Sequence, residues 1–294
     1  MRGNVVNALS KTLVDNVSYN VRKRIKRYAY YTALLLWLVV LVFPLSWVLL
    51  ASLTESSFSA TQSLRFLPSV DELTVKHWEA ILHPDVLQMF FNTIVIATGV
   101  MAVTITASSL AGYGLTRYDF PFKVNFARII IFGYMFSPIA LALPMYIIFR
   151  HLNLLNTYLG AIMAISAVTI PFSVWLMWKM FQTVPIAKEE AAWMLGATRW
   201  KTFKDVAFPA VSSGVFAVGI FSFGIVWMNF TYTRILLPET ESMTLAPGLV
   251  QLARQGYYIQ QGELMAIIVF VTAVPIIISY LMYDYLLKGF RVSA

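Results

Sequence analysis

Six stretches of about 20 apolar residues, each without a charged side chain, constrain the fold of this sequence more than any other feature. They cover residues 29–53, 90–115, 129–149, 158–178, 211–233 and 264–283. A helix of about 20 apolar residues is long enough to cross a hydrocarbon core about 30 Å thick. The sequence therefore predicts an all-α integral membrane protein with six transmembrane helices.

The composition bears on several classes of site. Charged residues make up 12% of the chain, against about 25% in typical soluble proteins. Cysteine is absent from the sequence, so disulfides and cysteine-based nucleophiles or metal sites are excluded. His77, His83 and His151 are scattered and show no metal-binding spacing, so we expect no metal site. No carboxylate pair, histidine cluster or activated nucleophile lies within a span, so we expect no catalytic residue and no membrane-embedded enzyme.

Basic residues are distributed unevenly between the two sides of the predicted bundle. Seventeen of the 22 Lys and Arg residues lie on the side of the chain termini. Because basic loops are retained in the cytoplasm, we expect both termini to be cytoplasmic and to contact anionic lipid. The basic residues flank the spans and form no separate domain, which argues against nucleic acid as a partner.

The predicted organisation has three parts. A cytoplasmic basic segment, 1–28, precedes a six-helix membrane domain, 29–287, and a cytoplasmic tail, 288–294, follows it. The first span is longer than the apolar region of a signal peptide, and no convincing cleavage site follows it. We therefore expect this span to be retained.

A charged segment separates the fourth and fifth predicted spans. Pro185 suits the first turn of a helix and Gly196 the position after its last turn, which predicts a helix over 185–195. Thr198 predicts the N-cap of a second helix, 199–206, which Pro209 ends or bends. On the first helix a small apolar face is expected from Ala187, Ala191, Met194 and Leu195. Such a face suits packing against another surface, but an amphipathic segment lying on the membrane would show the same pattern.

The six spans carry no Asp, Glu, Lys, Arg or His, although ion-coupled carriers usually keep such groups inside the membrane. If the protein drives active transport, its energy must therefore come from outside the membrane domain. A self-contained channel or facilitator for a small polar solute could also lack these groups and remains the alternative.

Several motifs resemble one known family. Glu190, Ala191, Ala192 and Gly196, followed by Val206 to Pro209, are similar to the E-A-A-x3-G-x9-I-x-L-P signature of permease subunits of binding-protein-dependent ABC importers. The resemblance extends to the carbohydrate-importer branch, of the maltose-permease-like six-span type, in residues 91–93, 111–117, 144–146, 152–157, 243–249 and 262–266. Leu195 stands where this branch often has Asp, and residues 227–230 depart from its W-N-E/D-F pattern.

The resemblance implies a type I ABC importer permease fold and a role in sugar import across a bacterial or archaeal cytoplasmic membrane. It also implies an ATPase-coupling helix formed by Glu189, Glu190, Ala191, Ala192, Met194, Leu195, Gly196 and Ala197. The implied partners are a second related permease, a cytosolic ABC ATPase dimer, an extracytoplasmic solute-binding protein and membrane lipid. ATP and Mg²⁺ would be bound by the ATPase, because this chain has no G-x-x-x-x-G-K-[S/T] loop and no cofactor site is expected in it.

Residues of the solute pathway are predicted from helix-breaking and aromatic positions. Proline in a membrane helix frees backbone carbonyls, which is tolerated where protein or a water-filled cavity satisfies them. Aromatic faces with a few hydrogen-bonding groups suit a sugar or polyol. The candidates are Ser137, Pro138, Trp227, Asn229 and Tyr232. We expect Asn92 to form hydrogen bonds between helices, and the loop 236–262 to contact a solute-binding protein.

Overall fold

The computed structural model of this chain is a bundle of α-helices. It describes residues 2–55, 72–254 and 260–291, with side chains over 23–55, 72–254 and 260–281. Within these ranges, β-structure is limited to an isolated antiparallel bridge between Thr54 and Leu73. The predicted all-α class is therefore confirmed.

Four helices are each long and apolar enough to cross a membrane. They correspond to the first, second, fourth and sixth predicted spans and are α1 (Arg2–Ser52), α2 (Pro84–Arg117), α5 (Tyr158–Gln182) and α12 (Gln261–Arg291). Most apolar side chains of α1 are exposed over residues 25–45. Only lipid or another apolar protein surface can cover this part of α1.

The third predicted span is broken near its centre. It consists of α3 (Lys123–Gly133) and α4 (Pro138–His151), whose axes differ by 94°. Residues 134–137 between them are not helical. Proline disfavours a helical conformation in the residue before it, and Ser137 has an extended backbone with ψ 129°.

The fifth predicted span is also bent. A helical stretch that ends with α8 (Phe208–Ala210) meets α9 (Ser212–Trp227) at 75°. α9 ends at Trp227, six residues before the predicted end of the span, and a second break at residues 228–230 precedes α10 (Thr231–Leu236). Counting each bent pair as one span gives six spans, as predicted.

The remaining elements lie at the two ends of the bundle. One end, called the basic end here, carries Arg117, Lys179, α6 (Ala187–Met194) and α7 (Arg199–Thr202). The opposite end carries two 3₁₀ helices, Lys76–Leu82 and Thr240–Ser242, and α11 (Leu245–Arg254).

The core of the bundle is formed by α2, α5 and α9. Small residues such as Ala97, Ala161 and Ala164 are completely buried between these helices. The hydroxyls of Thr104 on α2 and Thr169 on α5 are hydrogen-bonded at 2.8 Å. Small side chains and interhelical hydroxyl bonds hold helices together in lipid, where burial of apolar surface alone gives little driving force.

Asn92 joins three elements at the opposite end. Its amide nitrogen donates to the carbonyls of Glu241 and Met243, each at 2.8 Å. Its amide oxygen accepts from Gln88 at 2.9 Å and from the hydroxyl of Tyr158 at 2.6 Å. The expectation that Asn92 is a helix-packing residue is confirmed.

Candidate functional site

The segment 185–197 folds as one short helix with a defined C-terminal cap. α6 begins at Ala187, two residues later than predicted, with Pro185 and Ile186 preceding it. Gly196 has a φ of +82°, the left-handed conformation that glycine adopts most readily. The amide of Gly196 donates to the carbonyl of Trp193 at 2.9 Å, and that of Ala197 to Ala192 at 3.0 Å. These two bonds form a Schellman motif, so the predicted role of Gly196 is confirmed.

The second predicted helix is present but continues further. The hydroxyl of Thr198 accepts a hydrogen bond from the amide of Lys201 at 3.3 Å, which confirms the predicted cap. The helical path runs through a π-helical turn, Phe203–Ala207, to Ala210. In this turn the amide of Phe208 bonds the carbonyl of Phe203, which moves the hydrogen-bond ladder by one residue just before Pro209. The bend falls at Val211, between Ala210 and Ser212, and not at Pro209.

The outer face of α6 is apolar and uncovered. The predicted face of Ala187, Ala191, Met194 and Leu195 is exposed, with Met194 88% and Leu195 90% accessible. The side chain of Glu190 is exposed beside it. Nothing in the described parts of the chain covers this face, which is what a docking surface requires.

The inner face of α6 carries a buried ion pair. Glu189 is completely inaccessible, and the side chain of Arg117 at the end of α2 is 8% accessible. Nε of Arg117 donates to Oε1 of Glu189 at 2.7 Å, and Nη2 lies 2.7 Å from the same oxygen. The hydroxyl of Tyr113, also on α2, donates to Oε2 at 2.8 Å. Both carboxylate oxygens are thus bound by α2.

A cavity of about 800 Å³ lies midway along the bundle. Both breaks in the helices face it, residues 134–137 from one side and 228–230 from the other. Non-helical backbone at membrane depth is tolerated where it is buried in protein or lines a water-filled cavity. Its volume falls within the range of about 300–1,000 Å³ that is typical of small-molecule sites.

The lining of this cavity is aromatic and uncharged. Tyr134, Phe136, Phe221 and Phe230 contribute rings, and Thr169 and Asn229 contribute polar groups. Of the described residues, those that line the cavity include no Asp, Glu, Lys, Arg or His. Apolar walls with a few hydrogen-bonding groups fit a neutral, polar solute that also has apolar faces.

The sequence and the fold of this chain are similar to those of known proteins. Residues 104–292 match the family described as binding-protein-dependent transport system inner membrane component. The chain belongs to this family of membrane permeases. The maltose/maltodextrin transport system permease protein MalG of Salmonella typhimurium is 31% identical over 85% of this chain and 88% of the relative. The diacetylchitobiose uptake system permease protein NgcG of Streptomyces coelicolor is 27% identical over 87% and 84%, respectively.

The fold is similar to a chain in the crystal structure of a bacterial ABC transporter involved in the import of the acidic polysaccharide alginate. The TM-score is 0.77 with 20% sequence identity, over 89% of this permease and 96% of that chain. The predicted type I importer permease fold is therefore confirmed.

The predicted pathway residues of the permease fall into two groups, one at the cavity and one in the core. Ser137, Pro138, Asn229 and Tyr232 all line the cavity. Trp227 does not: it lies in the core, stacks on Phe223 at 5.3 Å between ring centroids, and donates its indole N–H to the carbonyl of Val271 at 3.1 Å.

Two of the cavity residues differ in their bonding. The side-chain oxygen of Asn229 accepts from the amide of Tyr232 at 3.0 Å and so caps α10. The side-chain nitrogen of Asn229 takes no part in this cap. The hydroxyl of Tyr232 is buried and has no hydrogen-bond partner among the described residues. A buried hydroxyl without a partner is costly, and a bound solute could satisfy it.

The coupling residues inferred from the family motif lie on two different faces of α6. Glu190 and the apolar face point outward, whereas Glu189 points into the permease. Arg117 and Tyr113 were not predicted as the partners of Glu189. The sequence did contain an indication of these two residues. Both lie in segment 111–117, which resembles the family, and residues four apart share one face of a helix.

Over the described ranges, no group of three or more His, Asp or Glu side chains could hold an ion. His77, the buried histidine, hydrogen-bonds the carbonyl of Thr54 at 3.1 Å and packs against Gly262, which places the end of α1 beside the start of α12.

Proposed function

We propose that this permease is one membrane subunit of an ATP-driven importer of a neutral sugar, oligosaccharide or polyol. It transfers the solute by alternating access and catalyses no reaction itself. A separate cytosolic ATPase dimer binds ATP and Mg²⁺ and docks on α6. The observation that carries the proposal is the uncovered apolar face of α6, a helix whose C-terminus is capped at Gly196.

The geometry of α6 suits docking to another protein surface. Ala187 and Ala191 allow another surface to approach the helix backbone closely, and Met194 and Leu195 offer large apolar side chains for a complementary pocket. The exposed carboxylate of Glu190 can accept a charge-assisted hydrogen bond from a basic side chain of the ATPase. A channel has no need of such an exposed, apolar helix face.

The cavity midway along the bundle has a lining that suits a carbohydrate. Aromatic rings pack on the apolar faces of sugars, and Ser137, Asn229 and Tyr232 can bond hydroxyls. The two relatives named above handle maltose or maltodextrin and diacetylchitobiose, according to their names. The uncharged lining of this cavity favours a neutral carbohydrate over an acidic one such as alginate, because a buried anion requires a compensating charge.

We infer the remaining partners from the surfaces at the two ends and on one side of the bundle. The basic end faces the cytoplasm by the positive-inside rule, with both termini. A second related permease covers exposed apolar side chains of α3 and α4, among them Ile129, Phe132, Ile139 and Leu143. At the opposite end a cleft of about 400 Å³ lies between Asn156, Glu239 and Glu241, and we assign it to contact with a solute-binding protein.

The experiment is to purify the complex through a tag on this permease and to identify the solute-binding protein that accompanies it and the small molecule it retains. The complex is then reconstituted in liposomes with that binding protein, and uptake of the labelled solute is measured with and without internal ATP. ATP-dependent uptake of a neutral carbohydrate is expected. Equal flux without ATP would show a facilitator, and a retained anionic solute would contradict the substrate assignment.

A further inference from the structure

The end of α2 is enclosed by the segment that carries α6. Nη2 of Arg117 donates to the carbonyl of Val184, just before α6, at 2.9 Å. The ring of Tyr113 packs against Phe181, which precedes α6, and Phe203, which follows it, with centroid distances of 5.5 and 4.9 Å. Groups of α2 therefore bind the chain before, within and after the docking helix.

The contacts between α2 and α6 oppose movement of one helix away from the other. If α2 moved away from α6, the carboxylate of Glu189, which is completely buried in the structure, would lose its bonds to Arg117 and Tyr113. An unpaired buried charge is far more costly than a paired one, so the low-energy motion keeps the pair together. Close packing adds to this, because Gly112 lies directly against the backbone of Met177 and Trp178 on α5.

We propose that Arg117 and Tyr113 are positioning residues, which hold Glu189 so that α2 moves together with α6 when the ATPase closes. The inference rests on the proposed function, since it assumes that the outer face of α6 is seated on an ATPase. It adds a route for the force: α6 acts on α2 directly through Glu189, and not only along the chain to α5 and α9.

The test measures the distance between α2 and α6 in two states of the complex. The chain contains no cysteine, so single cysteines at Asp119 and Lys188, both exposed, can carry spin labels. Pulsed electron paramagnetic resonance then gives the label distance in the nucleotide-free complex and in the complex trapped with ATP and vanadate. We expect the same distance distribution in both states of the otherwise unchanged permease. We expect a broadened or shifted distribution between states in Glu189→Gln.

Transport supplies the second readout. In Glu189→Gln, solute taken up per ATP hydrolysed should fall about tenfold or more while the complex still assembles. The double variant Arg117→Met/Glu189→Gln removes both charges of the pair and leaves no unpaired charge. It replaces the single variant if that variant does not assemble, and the same loss of uptake per ATP is expected. Asp119→Asn is the matched control: it removes an exposed carboxylate that pairs with Lys123 at 3.1 Å, and uptake per ATP should stay unchanged.

Two results would overturn the inference. One is a label distance that changes between the states in the permease with an intact ion pair, because α2 would then move independently. The other is a distance that stays constant in both variants, because Glu189 would not be what fastens α2. A complex that keeps the distance constant but imports no carbohydrate would contradict the proposed substrate and leave this inference standing.

Discussion

Gly112 of α2 and Met177 of α5 lie so close that a β-carbon on residue 112 would be 2.8 Å from Cβ of Met177. The same β-carbon would lie 2.8 Å from the backbone nitrogen of Trp178, which cannot rotate away. This contact lies one residue before Tyr113. The glycine therefore sets the separation of the two helices at the point where α2 receives Glu189.

Substituting this glycine should destabilise the permease. Gly112→Ala forces α2 and α5 apart, and overpacking of this kind costs about 1–3 kcal/mol. We expect a lower thermal unfolding temperature of the purified complex and a lower yield. Gly114→Ala is the control, because no atom lies within 4 Å of a β-carbon there. It should leave stability unchanged or raise it by about 0.5–1 kcal/mol through better helix propensity. Equal effects of the two substitutions would contradict the packing argument.

The apolar face of α6 should determine retention of the ATPase. Met194→Ala combined with Leu195→Ala removes the two largest exposed side chains of that face, and burying each is worth about 1.5–3 kcal/mol. We expect much less ATPase to copurify with the tagged permease, without a change in its thermal stability in detergent. Val75→Ala, at an exposed apolar position on the opposite end, should not affect copurification.

Glu190 and Gly196 should affect coupling. Glu190→Gln weakens a charge-assisted bond to the ATPase, and Gly196→Ala places a β-carbon in a left-handed conformation, at a cost of about 1–2 kcal/mol. In both variants we expect ATP hydrolysis to continue while solute uptake falls. Uptake and hydrolysis measured in the same proteoliposomes give the ratio. Unchanged uptake in both variants would refute the coupling role of this helix.

Tyr232 and Trp227 should respond differently to substitution by phenylalanine. Tyr232→Phe removes a hydroxyl that has no partner in the described part of the permease, so stability should hold while the KM for solute rises about 2- to 10-fold. Trp227→Phe loses the bond to the carbonyl of Val271, so stability should fall by about 1–3 kcal/mol with KM unchanged. Uptake kinetics and thermal unfolding distinguish the two. Loss of stability in Tyr232→Phe would assign that residue to packing.

Membrane orientation can be read from cysteine labelling. The permease has no natural cysteine, and Lys204 and Glu239 are exposed at the basic and opposite ends, respectively. A membrane-impermeant maleimide added outside intact spheroplasts should label Glu239→Cys and not Lys204→Cys. The reverse pattern would invert the orientation argued from the basic residues.

The sequence predicted some tertiary features because they depend on local chemistry. Gly196 and Thr198 mark helix ends through their own backbone and side-chain preferences, so the caps of α6 and α7 were predictable. Pro138 likewise indicated a break, because proline constrains the residue before it. The size of the break, 94°, was not predictable, since neighbouring helices set the angle.

The candidate site was predicted in part. The exposed face of α6 follows from residue spacing, and four of the five pathway candidates line the cavity. Trp227 was grouped with them but lies in the core, because the same aromatic character suits a solute contact and a packed core. Glu189 could not be distinguished from Glu190 by chemistry alone, since the two side chains differ only in the direction they point.

The sequence by itself determined that this protein spans a membrane, which side carries its basic residues, where α6 ends, and which family it resembles. Charge, hydropathy and local backbone preference are properties of single residues and their near neighbours. Only the tertiary structure decided that Tyr113 and Arg117 bind Glu189, 72 or more residues away along the chain. Only it brought residues 134–137 and 228–230 to one cavity. Such pairings depend on how α2, α5 and α9 pack, and close packing is decided by the whole bundle.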